Sequence, residues 1–119
     1  MTNDSREHFQ RGVALFNRGE FFEAHEELEE AMNLLEDDES DWEFYLGLLR
    51  AAVANHKLEQ GEVSSARLHL RASLKFLEAY PDRHHAIKLR EFRSALSAEL
   101  GRIETGASVV APPQIEMAP

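Results

Sequence analysis

The 119-residue chain has no cysteine. Disulfides, thiolate zinc sites and cysteine nucleophiles are therefore excluded. It has four prolines and six glycines, most of them at joints between apolar-periodic segments. It has no run of eighteen apolar residues, so no transmembrane span is expected. The polar start, "MTNDSREHFQ", lacks the basic-then-apolar order of a signal peptide, and a cytoplasmic location is the expectation. Lysine and arginine are missing from Glu20 to Glu43, a stretch with twelve acidic residues. They return from Phe44 to Glu104, where ten basic residues face seven acidic ones. The formal net charge is −9. Nucleic-acid binding needs clustered basic residues to neutralise phosphates, so no nucleic-acid partner is expected. The acidic block suits a cation, a basic partner, or the basic later helices of the same chain.

The 43% of hydrophobic residues is enough for one core. Their spacing is helical. Phe9, Val13 and Phe16 recur at i, i+4 and i+7, after the cap candidates Asn3, Asp4 and Ser5. Gly12 lies within this helix and suggests a close helix contact. "NRG" (Asn17 to Gly19) ends it, with Asn17 serving the turn. A second helix, about Glu20 to Leu35, carries Phe21, Ala24/His25, Leu28, Ala31/Met32 and Leu35 on one stripe. "EDDESD" is a polar break in which Ser40 or Asp41 can cap the next helix. The third, about Asp41 to Gln60, is apolar nearly all round from Trp42 to Val53, the mark of a central helix. Gly61 ends it. The fourth runs from about Glu62 to Tyr80, where Pro81 stops it. The fifth runs from about Asp82 to Ile103. Nothing reads as a strand; the nearest is "ASVVAP". The expectation is an all-α fold, a single-domain bundle of about five helices in antiparallel hairpins over residues 1–104, with a flexible proline-containing tail over 105–119.

Two segments resemble each other. In each, a helix leads to a Gly-Glu turn (Gly19-Glu20, Gly61-Glu62), then alanine five residues past the glycine (Ala24, Ala66), then leucine four further on (Leu28, Leu70). Glycine makes the turn, and the small alanine lets the second helix approach the first. This spacing resembles the tetratricopeptide repeat, although the copies lie 42 residues apart rather than 34.

The strings "LFNRGEFFEAHEELEE" and "LGLLRAAVANHKLEQGEVSSA" are similar to domain-of-unknown-function family 309, short helical proteins of bacteria and archaea. The first family motif matches at Leu15, Phe16, Asn17, Gly19, Phe21, Glu23, His25, Glu26, Leu28 and Glu29. The second matches at Gly47, Leu48, His56 and Gly61. Leu46 and Arg50 stand where the family often has glutamine, and Ala31 and Met32 where it often has tryptophan. The resemblance implies an all-helical bundle and no established activity.

At about 100° per residue, His25 and Glu29 lie one turn apart, with Glu26 to the side. If the second and third helices pack together, His25 and His56 could meet, with Glu29 or Glu26 completing a His/Glu cluster. Such a set suits zinc, iron or manganese, or acid/base chemistry with Glu29 orienting the imidazole. The competing reading is architectural: two interior histidines bonded to carboxylates or backbone that set helix register. "HEELE" is not the His-Glu-x-x-His of zinc proteases, and no Glu-x-x-His pair of a two-metal centre exists. His84 and His85 read as a solvated helix start, His8 and His69 as surface residues, and Trp42 as core. Arg50 is expected to pair with a carboxylate of the second helix. The leading expectation is a binding domain for a protein, a peptide or its own second copy, without membrane contact and with no certain cofactor. The alternative is a metal-binding protein or metal-dependent hydrolase using His25, Glu26, Glu29 and His56.

Overall fold

A computed structural model describes residues 3–35, 41–107 and 111–118. Ser40, offered above as a cap, and most of the strand-like "ASVV" lie outside them. The fold is all-α. Helices α1 (Asn3–Asn17), α2 (Phe21–Asn33), α3 (Trp42–Glu59), α4 (Val63–Leu77) and α5 (Leu89–Thr105) follow in order. Each packs on the next in the chain, as the short connections require.

The two Gly-Glu turns have the same backbone. Gly19 and Gly61 have φ of +79° and +77°, a region open to glycine at little steric cost. Glu20 N–H reaches back to Leu15 C=O, and Glu62 N–H to Lys57 C=O. With the Gly19–Phe16 and Gly61–Leu58 bonds, each turn is a Schellman motif that satisfies orphan helix carbonyls. Glu20 (φ −90°, ψ 71°) and Glu62 (φ −89°, ψ 73°) then start α2 and α4 in the same way. Ala24 and Ala66, set five residues beyond, are fully buried. Gly12 touches Leu28, where a Cβ would lie 2.8 Å from Cγ.

The core centres on α3, with Phe44, Tyr45, Leu48, Ala51, Ala52 and Ala54 fully buried. Tyr45 stacks on Phe9 of α1 at a centroid distance of 5.0 Å. Helix α5 lies across both hairpins. Phe92 meets Phe16 of α1 edge to face at 5.6 Å, and Glu99 reaches Asn55 of α3. Arg93 donates to Leu77 C=O and Tyr80 C=O and pairs with Asp82 at 2.8 Å, which fixes the α4–α5 joint.

The fold departs from the sequence reading in three places. Trp42 is 48% exposed rather than core, because it opens α3 ahead of the buried stretch. The fifth helix starts at Leu89, not Asp82. Residues Arg83–His84 (β1) and Ile87–Lys88 (β2) form a small antiparallel hairpin, with Arg83 opposite Lys88 and His84 opposite Ile87. Periodicity cannot register strands two residues long. Third, residues 111–118 of the expected tail are docked. Ile115 is 1% exposed within the core cluster, and Met117 bridges Ile87 of β2.

Candidate functional site

Helices α2 and α3 pack together and carry the residues singled out by their sequence. His25 and His56 both rest on the ring of Phe22, at centroid distances of 5.8 and 5.4 Å. With Val53, Lys57 and Gln60 they line a groove of about 240 Å³. Phe22 is 45% exposed. Glu29 Oε2 lies 3.8 Å from His25 Nε2, as one helical turn dictates. Glu26 points to solvent. His25 and His56 share this face, with Glu29 beside His25, but together with Glu26 they do not draw their ligand atoms into one compact set; among the described residues only Asp41, His84 and His85 do so.

The other motif residues fall around the turns. Asn17 holds the C-terminal segment: its Nδ2 donates to Ile115 C=O at 2.8 Å, and its Oδ1 accepts Ile115 N–H at 2.7 Å. Gly19 and Phe21, with Asn55, Leu58, Glu59 and Pro112, line a cavity of about 410 Å³. Glu23 is exposed, Gly47 is buried against α4, and Gly61 makes the second turn. Arg50 pairs with His69 Nδ1 at 2.9 Å, not with a carboxylate of α2. His69 is half-buried, and burial first, then the charges of Arg50 and Lys57, lower its pKa. A neutral imidazole can accept the arginine N–H.

Residues 20–35 keep much of their acidity at the surface. Glu27 binds His8 Nδ1 at 2.5 Å and Arg11 at 3.4 Å, and the His8 bond is the main cause of its lowered pKa. Glu23, Glu26 and Glu30 are exposed and make no ion pair among the described residues. Among the basic residues of the later helices, Arg71 pairs with Glu104 and Arg93 with Asp82 rather than with this block.

A second cluster was missed from sequence. Asp41, just before α3, binds His84 Nε2 through Oδ1 at 2.6 Å and His85 Nε2 through Oδ2 at 2.5 Å. Phe44 packs on both imidazoles, at 4.7 and 5.6 Å. Tyr80 lies against His84, and Phe9 against His85. Burial raises the pKa of Asp41, but the bonds to His85 and His84 outweigh it and leave the carboxyl below its ordinary value. A cavity of about 300 Å³ adjoins His85, lined also by Arg6, Phe9, Gln10, Ala86 and Met117. The available signal was the His-His pair itself; its partner lies more than forty residues away. A third polar site is the fully buried Glu99 on α5. Its Oε1 accepts from Asn55 at 3.3 Å, while Oε2 has no partner among the described residues. Burial pushes its pKa up to about 7 against the bond from Asn55 and the charge of Arg102.

Two helical hairpins closed by a fifth helix define a small all-helical domain. The chain belongs to the family of the domain of unknown function DUF309, whose profile matches residues 9–68. An uncharacterized protein of Aquifex aeolicus (strain VF5) is 36% identical over 91 residues, which make up 76% of this chain and 27% of that protein. The chain thus spans about a quarter of the length of this relative. The matched region holds α1 from Phe9 onward, α2, α3 and α4 as far as Leu68, and so the whole α2–α3 groove. It includes Asp41 and ends before His84 and His85. No described helix is long and apolar enough to cross a membrane.

Proposed function

We propose that this domain is a protein-interaction module whose α2–α3 face holds a basic peptide segment by an apolar anchor. The observation that carries this reading is Phe22. It is a large aromatic left 45% exposed at a groove, with His25 and His56 packed on its ring. Aromatic residues are enriched at the centres of protein interfaces, where they anchor partner side chains. Around Phe22, the exposed carboxylates Glu23, Glu26, Glu29 and Glu30 give the face a negative field that would select a partner bearing lysine or arginine. The groove lies within the family-matched region, and the related protein carries the similar segment within a much longer chain. Both fit a docking unit better than a self-contained catalyst.

The test is a fluorescence-anisotropy titration with a panel of peptides that pair basic residues with an aromatic or aliphatic anchor. Binding should weaken with added salt and fall at least about tenfold in Phe22→Ala, the loss of about 1.4 kcal/mol expected for a central anchor. Leu68→Ala, at a 65% exposed position on α4, should leave it unchanged. Equal binding by Phe22→Ala, or no binding across the panel, would overturn the reading. A concentration-dependent dimer abolished by Phe22→Ala would reassign the face to a second copy of the chain.

A further inference from the structure

His84 and His85 are neighbours in sequence. Along an extended strand, neighbouring side chains point to opposite faces. Here both imidazoles present Nε2 to one carboxylate. The backbone of His85 is left-handed, with φ of +49°, and Ala86 follows at +62°. Two-residue hairpin turns of this type favour asparagine and glycine. A non-glycine residue held there costs roughly 1–2 kcal/mol. The chain therefore keeps a strained turn that carries His85 to the same side as His84.

The surroundings hold this arrangement. Phe44 and Tyr80 fix the ring of His84, and Phe9, Phe44 and Tyr45 that of His85. Asp41 is 13% exposed, and the ligand atoms of the three residues all lie within 4.8 Å of one another. Two imidazoles and one carboxylate form the donor set of the facial triads and open zinc sites.

We infer that Asp41, His84 and His85 form a binding site for one divalent first-row transition metal ion, with its remaining coordination positions beside the cavity of Arg6, Gln10 and Met117. Imidazole donors favour zinc, iron, copper or nickel over magnesium and calcium, which take oxygen ligands. Ligand bonds of about 2.0–2.2 Å need the nitrogen and oxygen atoms to separate by less than about 1 Å from their present hydrogen bonds. Neutral imidazoles free their Nε2 lone pairs by moving the proton to Nδ1, with no net proton lost. A protonated imidazole would release one proton to solvent. The site lies outside the α2–α3 groove and shares no residue with it.

Tag-free protein stripped with a chelator tests this by calorimetric titration with Zn²⁺ alone, and by the visible spectrum with Co²⁺ alone. One ion should bind per chain, and Mg²⁺ should not compete. Binding should weaken at least about tenfold in His85→Gln and Asp41→Asn, and persist in His8→Gln. In the wild-type protein, Zn²⁺ should move the imidazole ¹⁵N resonances of His84 and His85, a readout that needs no variant to fold. No stoichiometric uptake, or uptake unchanged in the two cluster variants, would overturn the site. Zinc-induced shifts confined to His25 and His56 would overturn it too, and would place the ion in the groove.

Discussion

Gly47 of α3 and Leu77 of α4 are in direct contact. A Cβ on Gly47 would lie 2.7 Å from Leu77 Cγ and Cδ2, and Leu77 is fully buried, so the leucine has nowhere to move. Gly47→Ala should destabilise the protein by about 1–3 kcal/mol through overpacking, even though alanine is the better helix former by about 1 kcal/mol. Gly101 of α5 is exposed and has open space around its Cα. Gly101→Ala should therefore raise the melting temperature. Thermal unfolding of the two variants should shift in opposite directions.

The buried carboxyl of Glu99 makes stability depend on pH. Its folded pKa is raised from 4.5 to about 7. Between these values the unfolded chain loses the proton while the folded chain keeps it. The folded state then binds more protons, and stability falls as pH rises from about 4.5 to about 7. The full loss is about 3 kcal/mol, taking 1.36 kcal/mol per unit. Glu99→Gln keeps the shape without the charge. Denaturant titrations from pH 5 to 8 should show the wild type losing stability with a steeper slope than Glu99→Gln, and the variant the more stable at pH 8.

The β1–β2 turn offers a stabilising substitution. Ala86 is exposed with φ of +62°, and glycine removes the steric penalty of that conformation. Ala86→Gly should gain about 0.5–1 kcal/mol, the strain relieved exceeding the entropy that glycine adds to the unfolded chain. Chemical denaturation measures it; a lower midpoint would mean that the Ala86 methyl contributes packing.

Asn17 holds the C-terminal segment by two bonds to the Ile115 backbone and accepts one from Gln114 at its own carbonyl. Asn17→Ala should leave the Ile115 N–H without its partner and cost about 1–3 kcal/mol. Amide hydrogen exchange at Ile115 should speed up well beyond that of the α3 core.

The helices were legible because each writes its own period. The repeated turns were legible because Gly19 and Gly61 impose the same backbone. Two-residue strands leave no period, so the sequence pattern alone places 83–88 in a helix. Ile115 was read as tail because one apolar residue among prolines gives no hint of a distant acceptor. His25, Glu29 and His56 could be set on facing helices from their spacing, but not the ring of Phe22 against both imidazoles. Arg50 was expected to seek a carboxylate. Its actual partner, a half-buried His69 on α4, depends on which face of α3 the fourth helix covers. Asp41 with His84 and His85 depends on a left-handed residue that no helical or strand pattern predicts.

The clasp between Asn17 and Ile115 joins positions 98 residues apart, whereas α1 to α4 pack between neighbours in the chain. Closing a long loop carries more entropy than closing a short one, and local contacts form fastest. Assembly is therefore expected to start with the helical hairpins and to seat the C-terminal segment last. In the finished protein the same segment is expected to open before them: a local unlatching that bares Ile115 and one side of α1 should take less free energy than unfolding the hairpins beneath it.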